Sequence, residues 1–156
     1  MKNGEGIEYY ELEESFQNTP NVKKIEGFYK KGKLNGFVKQ YDNKGVLRFE
    51  GEYVDDKKEG SGVTYHVNGA FECRCVYKNG RMHDHKVRIF GNGGFPVFEG
   101  KYLNGYRKGY GKVWDLDGKL RVFGIFDGNH YPVEVKPYWI RDCSGKFLKN
   151  IGVNVE

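Results

Sequence analysis

The sequence is poor in several things at once. It has 3 cysteines and 4 prolines in 156 residues. Cys73, Cys75 and Cys143 are odd in number and too few to staple a chain of this length, so they are expected to be reduced thiols rather than a disulfide framework. No apolar run approaches the roughly 18 residues of a membrane-spanning helix, and Met1 to Gly6 lacks the basic-then-apolar design of a secretory signal. A soluble, cytoplasmic protein is the expectation. Helical periodicity is missing as well; Ile7 to Phe16 comes nearest to it.

Glycine and aromatic residues are abundant, with 23 Gly, 12 Tyr, 11 Phe and 2 Trp. Scarce proline and irregular glycine spacing exclude collagen, and the aromatic content excludes a Gly/Ser linker or a wholly disordered chain. What remains is a folded domain with glycine at defined backbone positions. Charge is uneven: the net is +5, yet residues 1–20 hold five glutamates against one lysine. A basic body with an acidic start speaks to association rather than to fold.

The glycines are ordered by a repeat. FEGEY at Phe49 to Tyr53 returns as FEGKY at Phe98 to Tyr102. Aligning on the last residue gives an aromatic column, Tyr29, Tyr53, Tyr77, Tyr102 and Phe126, in steps of 24, 24, 25 and 24 residues. Two residues earlier stand Gly27, Gly51, Gly100 and Gly124, with Cys75 as the exception. Three residues later comes a turn column of Gly32, Asp56, Gly80, Gly105 and Asn129. Next come Gly36 and Val38, Gly60 and Gly62, Asp84 and Lys86, and Gly109 and Gly111. A second apolar column reads Tyr41, Tyr65, Ile89, Trp114 and Tyr138, followed by a turn glycine at Gly45, Gly69, Gly93 and Gly118.

The repeat predicts β-hairpins. Leu47, Phe49, Gly51 and Tyr53 alternate with Arg48, Glu50 and Glu52, the period of a strand with one face toward the core. A loop of about six residues then leads to a second strand at Val63 to Val67, closed by Asn68-Gly69. Gly4, Gly6 and Tyr9 repeat the spacing of Gly60, Gly62 and Tyr65, so the chain opens on the second half of a repeat. That half-repeat is expected to present a free strand edge that another chain could extend. The organisation read from this is a repeat domain over 1–130, with a half-repeat at 1–9, an inserted acidic loop at 10–24 and repeats starting near 25, 49, 73, 98 and 122. Residues 131–156 form a divergent C-terminal strand or cap. The expected fold class is all-β, a single-layer antiparallel sheet in which rings lie over side-chain-free glycines.

These residues resemble the MORN repeat, whose unit runs Y-x-G-x-W/Y, a glycine, a basic polar turn, G-x-G, three residues, Y and D/N-G. Phe49 to Gly69 and Phe98 to Gly118 carry the pattern, and the likeness covers about Gly4 to Gly128. Lys33 to Tyr53 is also similar to the bacterial variant found in antitoxin-like proteins and to the repeats that precede the SET domain of a lysine methyltransferase. The pattern departs most in the third repeat, at Cys73, Cys75, Asp84 and Lys86. The resemblance implies that the sheet is elongated and twisted, and that the protein is a non-catalytic protein–protein interaction or scaffold module. It implies a subunit or adaptor of a cytoskeletal, ciliary or membrane-associated assembly, with a protein partner or self-association. Binding of acidic phospholipid headgroups is the alternative it implies, and an antitoxin-like inhibitor a third.

Two sets of candidate binding residues follow. Lys30, Lys31, Lys33, Lys57, Lys58, Lys78, Arg81, Arg107 and Lys108 recur in the loop of each hairpin and predict a basic stripe suited to an anionic partner. The plainer view is that turns are solvated and lysine guards exposed sheet edges. Tyr29, Tyr41, Tyr53, Tyr65, Tyr102, Tyr106, Tyr110 and Trp114 predict an aromatic groove, although most of the columns belong to packing. No nucleic-acid partner is expected, since basic and aromatic residues do not interleave on one outward face. No cofactor is expected. His83 and His85, with Cys73 and Cys75 one strand away, come nearest to a zinc set, but there is no C-x-x-C and the cysteines fall on inward columns. The acidic residues lie in turns and on outward strand positions, and no nucleophile motif occurs, so an enzyme is not expected.

Overall fold

The structure, a computed structural model, describes residues 1–11, 21–128, 130–135, 139–141 and 147–150. No helix occurs among them, so none is long and apolar enough to cross a membrane. The strands are β1 (Gly4–Tyr9), β2 (Lys23–Lys30), β3 (Lys33–Tyr41), β4 (Leu47–Val54), β5 (Lys57–Tyr65), β6 (Phe71–Lys78) and β7 (Arg81–Met82). They continue with β8 (Asp84–Phe90), β9 (Pro96–Leu103), β10 (Tyr106–Trp114), β11 (Leu120–Asp127), β12 (Glu134–Val135), β13 (Trp139–Arg141) and β14 (Phe147–Asn150). Sheet order follows chain order, β1 to β7 in one antiparallel sheet and β8 to β12 in a second, with β13 and β14 as a separate pair. Each sheet is a run of consecutive hairpins, not a barrel. The chain forms two compact bodies, Met1–Arg81 and Met82–Glu156.

The repeat is a hairpin, as expected, but its two turns differ from the expectation. Lys31-Gly32, Asp55-Asp56, Asn79-Gly80 and Asn104-Gly105 are two-residue turns in which both residues have positive φ, from 47° to 86°. Such primed turns match the strand twist, whereas a six-residue loop would leave several backbone N–H groups without ladder partners. The second strand therefore starts at once, at Lys33, Lys57 and Tyr106, rather than six residues on. At the other end, Gly45, Gly69, Gly94 and Gly118 adopt φ from 75° to 80° and close longer turns.

The turn glycine of the third repeat is thus Gly94, not Gly93, and the ladder pairs Phe90 with Pro96 as it pairs Tyr41 with Leu47 and Tyr65 with Phe71. Phe90, not Ile89, belongs to the second apolar column. Val87, not Lys86, sits opposite Gly100 where Gly62 sits opposite Cys75. The cause is one extra residue in β8, absorbed as a bulge between Asp84 and Val87, which accounts for the 25-residue step. The first sheet ends and the second begins in this same repeat.

One row crosses the middle of each sheet. In the N-terminal body it is Gly6, Gly27, Val38, Gly51, Gly62 and Cys75; in the C-terminal body it is Val87, Gly100, Gly111 and Gly124. Rings lie across it. A Cβ on Gly62 would come within 2.7 Å of Phe49 and 3.1 Å of Tyr77, and one on Gly111 within 3.0 Å of Phe126 and 3.1 Å of Phe98. Phe49 meets Tyr77 edge-on at 5.5 Å, and Phe98 meets Phe126 edge-on at the same distance. The core is therefore one face of each sheet, roofed by Tyr29, Phe49, Tyr53 and Tyr77 in one body and by Phe98 and Phe126 in the other.

The acidic insertion expected at 10–24 falls mainly on residues 12–20, outside the described residues; Tyr10 N–H donates to Val22 C=O at 2.9 Å, and β2 already starts at Lys23. Asn129, Tyr138 and Cys143 also lie outside the described residues.

Candidate interaction surfaces

The ends of the hairpins are tied together by a repeated hydrogen bond. The second residue of each primed turn donates its N–H to a carbonyl of the preceding repeat: Gly32 to Lys2, Asp56 to Leu34 and Gly80 to Lys58 in the N-terminal body, Gly105 to Met82 in the other, at 2.8 to 3.1 Å. Gly128 N–H does the same with Arg107 at 2.8 Å. The residue after each accepting position reinforces it. Asn3 Oδ1 accepts from Lys31 N–H at 2.7 Å, and Glu59 Oε2 from Asn79 N–H at 2.8 Å. His83 Nδ1 pairs with Asn104 Oδ1 at 3.1 Å at the equivalent place.

The accepting positions, Lys2, Leu34, Lys58, Met82 and Arg107, form a column of their own, in which Leu34 is buried and the three cations reach rings. Lys58 Nζ stands 3.6 Å from the centre of the Phe49 ring and 5.3 Å from that of Tyr77. Arg107 stands 4.1 Å from Phe98 and 5.7 Å from Phe126. Burial among these rings holds the Lys58 ammonium below its ordinary pKa, and the ring quadrupoles offset part of that cost. Arg107 also donates from Nε to Tyr102 Oη at 3.1 Å and from Nη1 to His130 C=O at 2.9 Å.

The nine predicted cations consequently separate. Lys58 and Arg107 are packed on rings, and Lys108 is ion-paired with Asp127. Lys30, Lys31, Lys33, Lys57, Lys78 and Arg81 are exposed at the primed-turn end of the first sheet. Among the described residues none of these six makes a salt bridge. The acids nearby are engaged with backbone: Asp56 Oδ1 accepts from Leu34 N–H at 2.7 Å, and Glu59 is held as above.

The predicted aromatic groove divides between two faces. Tyr29 and Tyr53 belong to the buried ringed face, where burial pushes both phenols up to about 12. Tyr102 stands edge-on to Phe98 at 5.5 Å. Tyr41 and Tyr65 lie on the opposite face and donate to Glu26 Oε2 at 3.2 Å and Glu50 Oε1 at 2.7 Å. Burial first, then Glu26, raises the Tyr41 pKa; Glu50 first, then burial, raises that of Tyr65. Trp114 is half-buried, and Tyr106 and Tyr110 are exposed.

That opposite face carries the open surface. In the N-terminal body a groove of about 770 Å³ runs between Glu5, Ile7, Glu26, Phe28, Phe37 and Lys39, floored by Gly6 and Gly27. Phe28 and Phe37 are 47% and 50% exposed although they face each other across neighbouring strands. In the C-terminal body a shallower groove of about 250 Å³ uses the equivalent positions, Glu99, Lys101, Tyr110 and Lys112, with Phe123 stacked on Tyr110 at 5.7 Å. Ile7, Phe28 and Phe123 escaped the sequence reading. The signal was there in alternation, since each flanks a residue of the inward row or column and so points the other way.

The metal candidates do not form a site. His83 is committed to Asn104, and among the described residues no three His, Cys, Asp or Glu groups could hold an ion. Cys73 and Cys75 are buried on the ringed face. The hydrogen bond from Cys75, helped by Thr64 Oγ1 at 3.0 Å, draws the Cys73 thiol below its ordinary value. Compared with known protein families and with curated proteins, the chain matches none.

Proposed function

We propose that the protein is a non-catalytic interaction module of the MORN-like kind, an adaptor or structural subunit that holds a protein partner in the groove between Ile7, Phe28 and Phe37. One observation carries this reading: two phenylalanines and an isoleucine are left side by side in water on a sheet whose other face holds the core. Burying them costs nothing in core packing and offers roughly 25 cal/mol per Å² to whatever covers them. The Phe28→Ser/Phe37→Ser protein is expected to keep its melting temperature and circular dichroism while recovery of a stoichiometric partner from native source drops at least about tenfold, the loss of some 1.4 kcal/mol. Undiminished recovery refutes the groove.

The six exposed cations favour a second reading, peripheral binding of acidic phospholipid at the primed-turn end of the first sheet. Sedimentation with phosphatidylserine vesicles should fall in the Lys33→Glu/Lys57→Glu protein and at high salt. Lys58 is unsuitable for that test because it is part of the ring packing. No sedimentation of the unaltered protein with acidic vesicles removes this reading.

A further inference from the structure

β1 has the register of a repeat's second strand, and no first strand lies beside it among the described residues. Its register on β2, Gly4 with Tyr29, Gly6 with Gly27 and Glu8 with Ile25, reproduces that of β5 on β6, Gly60 with Tyr77, Gly62 with Cys75 and Thr64 with Cys73. Lys2, Gly4, Gly6 and Glu8 therefore stand where Lys58, Gly60, Gly62 and Thr64 stand. The outer edge of β1 has no paired strand among the described residues.

Three features of β1 are already shaped for a strand on that edge. In the complete repeat Gly62 is closed in by two rings, Phe49 from its own repeat at 2.7 Å and Tyr77 from the next at 3.1 Å; Gly6 has only the second, Tyr29 at 3.1 Å. Lys58 sits 3.6 Å from the near ring and 5.3 Å from the far one, whereas Lys2 has only the far one, Tyr29 at 5.0 Å, with Glu8 as its ion-pair partner at 2.8 Å. Gly4 has φ of 92° with nothing within 4 Å of a Cβ built on it. The same left-handed conformation at Gly36 and Gly60 falls inside the register shift between each second strand and the first strand of its own repeat. At Gly4 the conformation is in place with no partner strand beside it among the described residues.

We infer that the free edge of β1 is a β-addition site for an extended segment of a different polypeptide, one with the pattern aromatic-x-Gly-x-aromatic. Running antiparallel to β1, its first ring lies opposite Glu8 and over Gly6, its glycine lies opposite Gly6, and its second ring lies opposite Lys2, as Phe49, Gly51 and Tyr53 lie opposite Thr64, Gly62 and Lys58. Main-chain hydrogen bonds give the affinity of such a site, and the ring over glycine gives its selectivity. A second copy of this chain does not supply the segment. Its FEGEY and FEGKY strands, β4 and β9, are each paired on both sides. Its β11, with Val122, Gly124 and Phe126, has its outer edge covered by β12, and Pro132 stands 2.7 Å from where a Gly124 Cβ would be. This site uses the backbone edge rather than the Phe28 and Phe37 side chains, so it stands or falls separately from the groove.

The probe is a peptide with the sequence of Leu47–Val54, LRFEGEYV, added to the full chain and followed by amide chemical shifts and by anisotropy of a labelled copy. Shifts are expected at Gly4 to Tyr9. Peptides carrying Phe49→Ala or Gly51→Val are expected to bind about tenfold more weakly or worse, the first from loss of the ring and the second because a Cβ there strikes the facing strand. Because these changes are in the probe, folding of the protein is not at stake. No shifts on β1 at millimolar peptide, equal binding of all three peptides, or shifts confined to β4 and β5 would overturn the inference. So would a dimer of the free chain, joined through β1, that the peptide fails to dissociate.

Discussion

Repeats two and four differ from repeats one and three by the same set of substitutions. Repeats two and four have Phe49 or Phe98, a glycine in both strands of the row (Gly51 and Gly62, Gly100 and Gly111) and a cation in the ring-facing column (Lys58, Arg107). Repeats one and three have Ile25 or Cys73, a valine in the second strand (Val38, Val87) and an aliphatic side chain in the column (Leu34, Met82). In repeat one the volume given up by Ile25 on one strand is returned by Val38 on the next. A Cβ on Gly27 would meet Val38 Cγ2 at 2.8 Å, just as one on Gly51 would meet the Phe49 ring at 2.8 Å. The sequence thus alternates with a period of two repeats, and in the N-terminal body two packing solutions stand side by side, valine on a small neighbour in repeat one and rings over glycine in repeat two.

The largest effects come from mixing the two solutions. Gly62→Val puts the repeat-one residue into repeat two, where its Cβ falls 2.7 Å from Phe49; a loss of about 1–3 kcal/mol is expected in urea unfolding. Phe49→Ile alone leaves a void over two glycines and should cost about as much or more. Combining Phe49→Ile with Gly62→Val recreates the Ile25 and Val38 pairing, so the double variant is expected to be more stable than either single one, a coupling of about 0.5–3 kcal/mol. Additive losses would show that the alternation is not compensation.

Much of this was legible because glycine leaves a mark in composition wherever a ring needs room. The columns at Tyr29, Gly51 and Gly32 came directly from the period, and so did the half-repeat at Gly4 to Tyr9. The third repeat was misaligned by one because Gly91-Asn92-Gly93-Gly94 offers two choices of turn glycine, and only the hydrogen bonds, Gly91 N–H to Phe95 C=O and Gly94 N–H to Gly91 C=O, decide between them. Lys58 and Arg107 were read as members of an exposed basic stripe in the loops since charge on its own says surface. Their column mates Leu34 and Met82 carry the contrary message, that this position faces rings. The division of the tyrosines between two faces was missed although alternation carries it, since Tyr41 and Tyr65 stand three residues after Val38 and Gly62 of the inward row, an odd offset that points them to the opposite face.

The smallest expected effect is a difference in alkaline stability between the two solutions, and its sign can be worked out. Tyr53 ionises near 12 in the folded protein against an ordinary 10.0, so the stability it contributes is fully present below pH 10 and is lost as pH rises through 12. Tyr29, in repeat one, behaves alike. Lys58 runs the other way: its folded pKa lies below its ordinary 10.5, the unfolded chain binds more protons there, and stability is gained as pH rises toward 10.5. Repeat two therefore sets a buried tyrosine against a cation that titrates in the opposite sense, whereas repeat one has Leu34 in place of that cation. Between pH 9 and 12 the melting temperature of Lys58→Leu should drop more steeply than that of the unaltered protein, and that of Tyr53→Phe less steeply. Parallel curves for all three would mean that Lys58 is as well solvated in the folded protein as in the unfolded chain, and the cation would then have no part in what distinguishes repeats two and four.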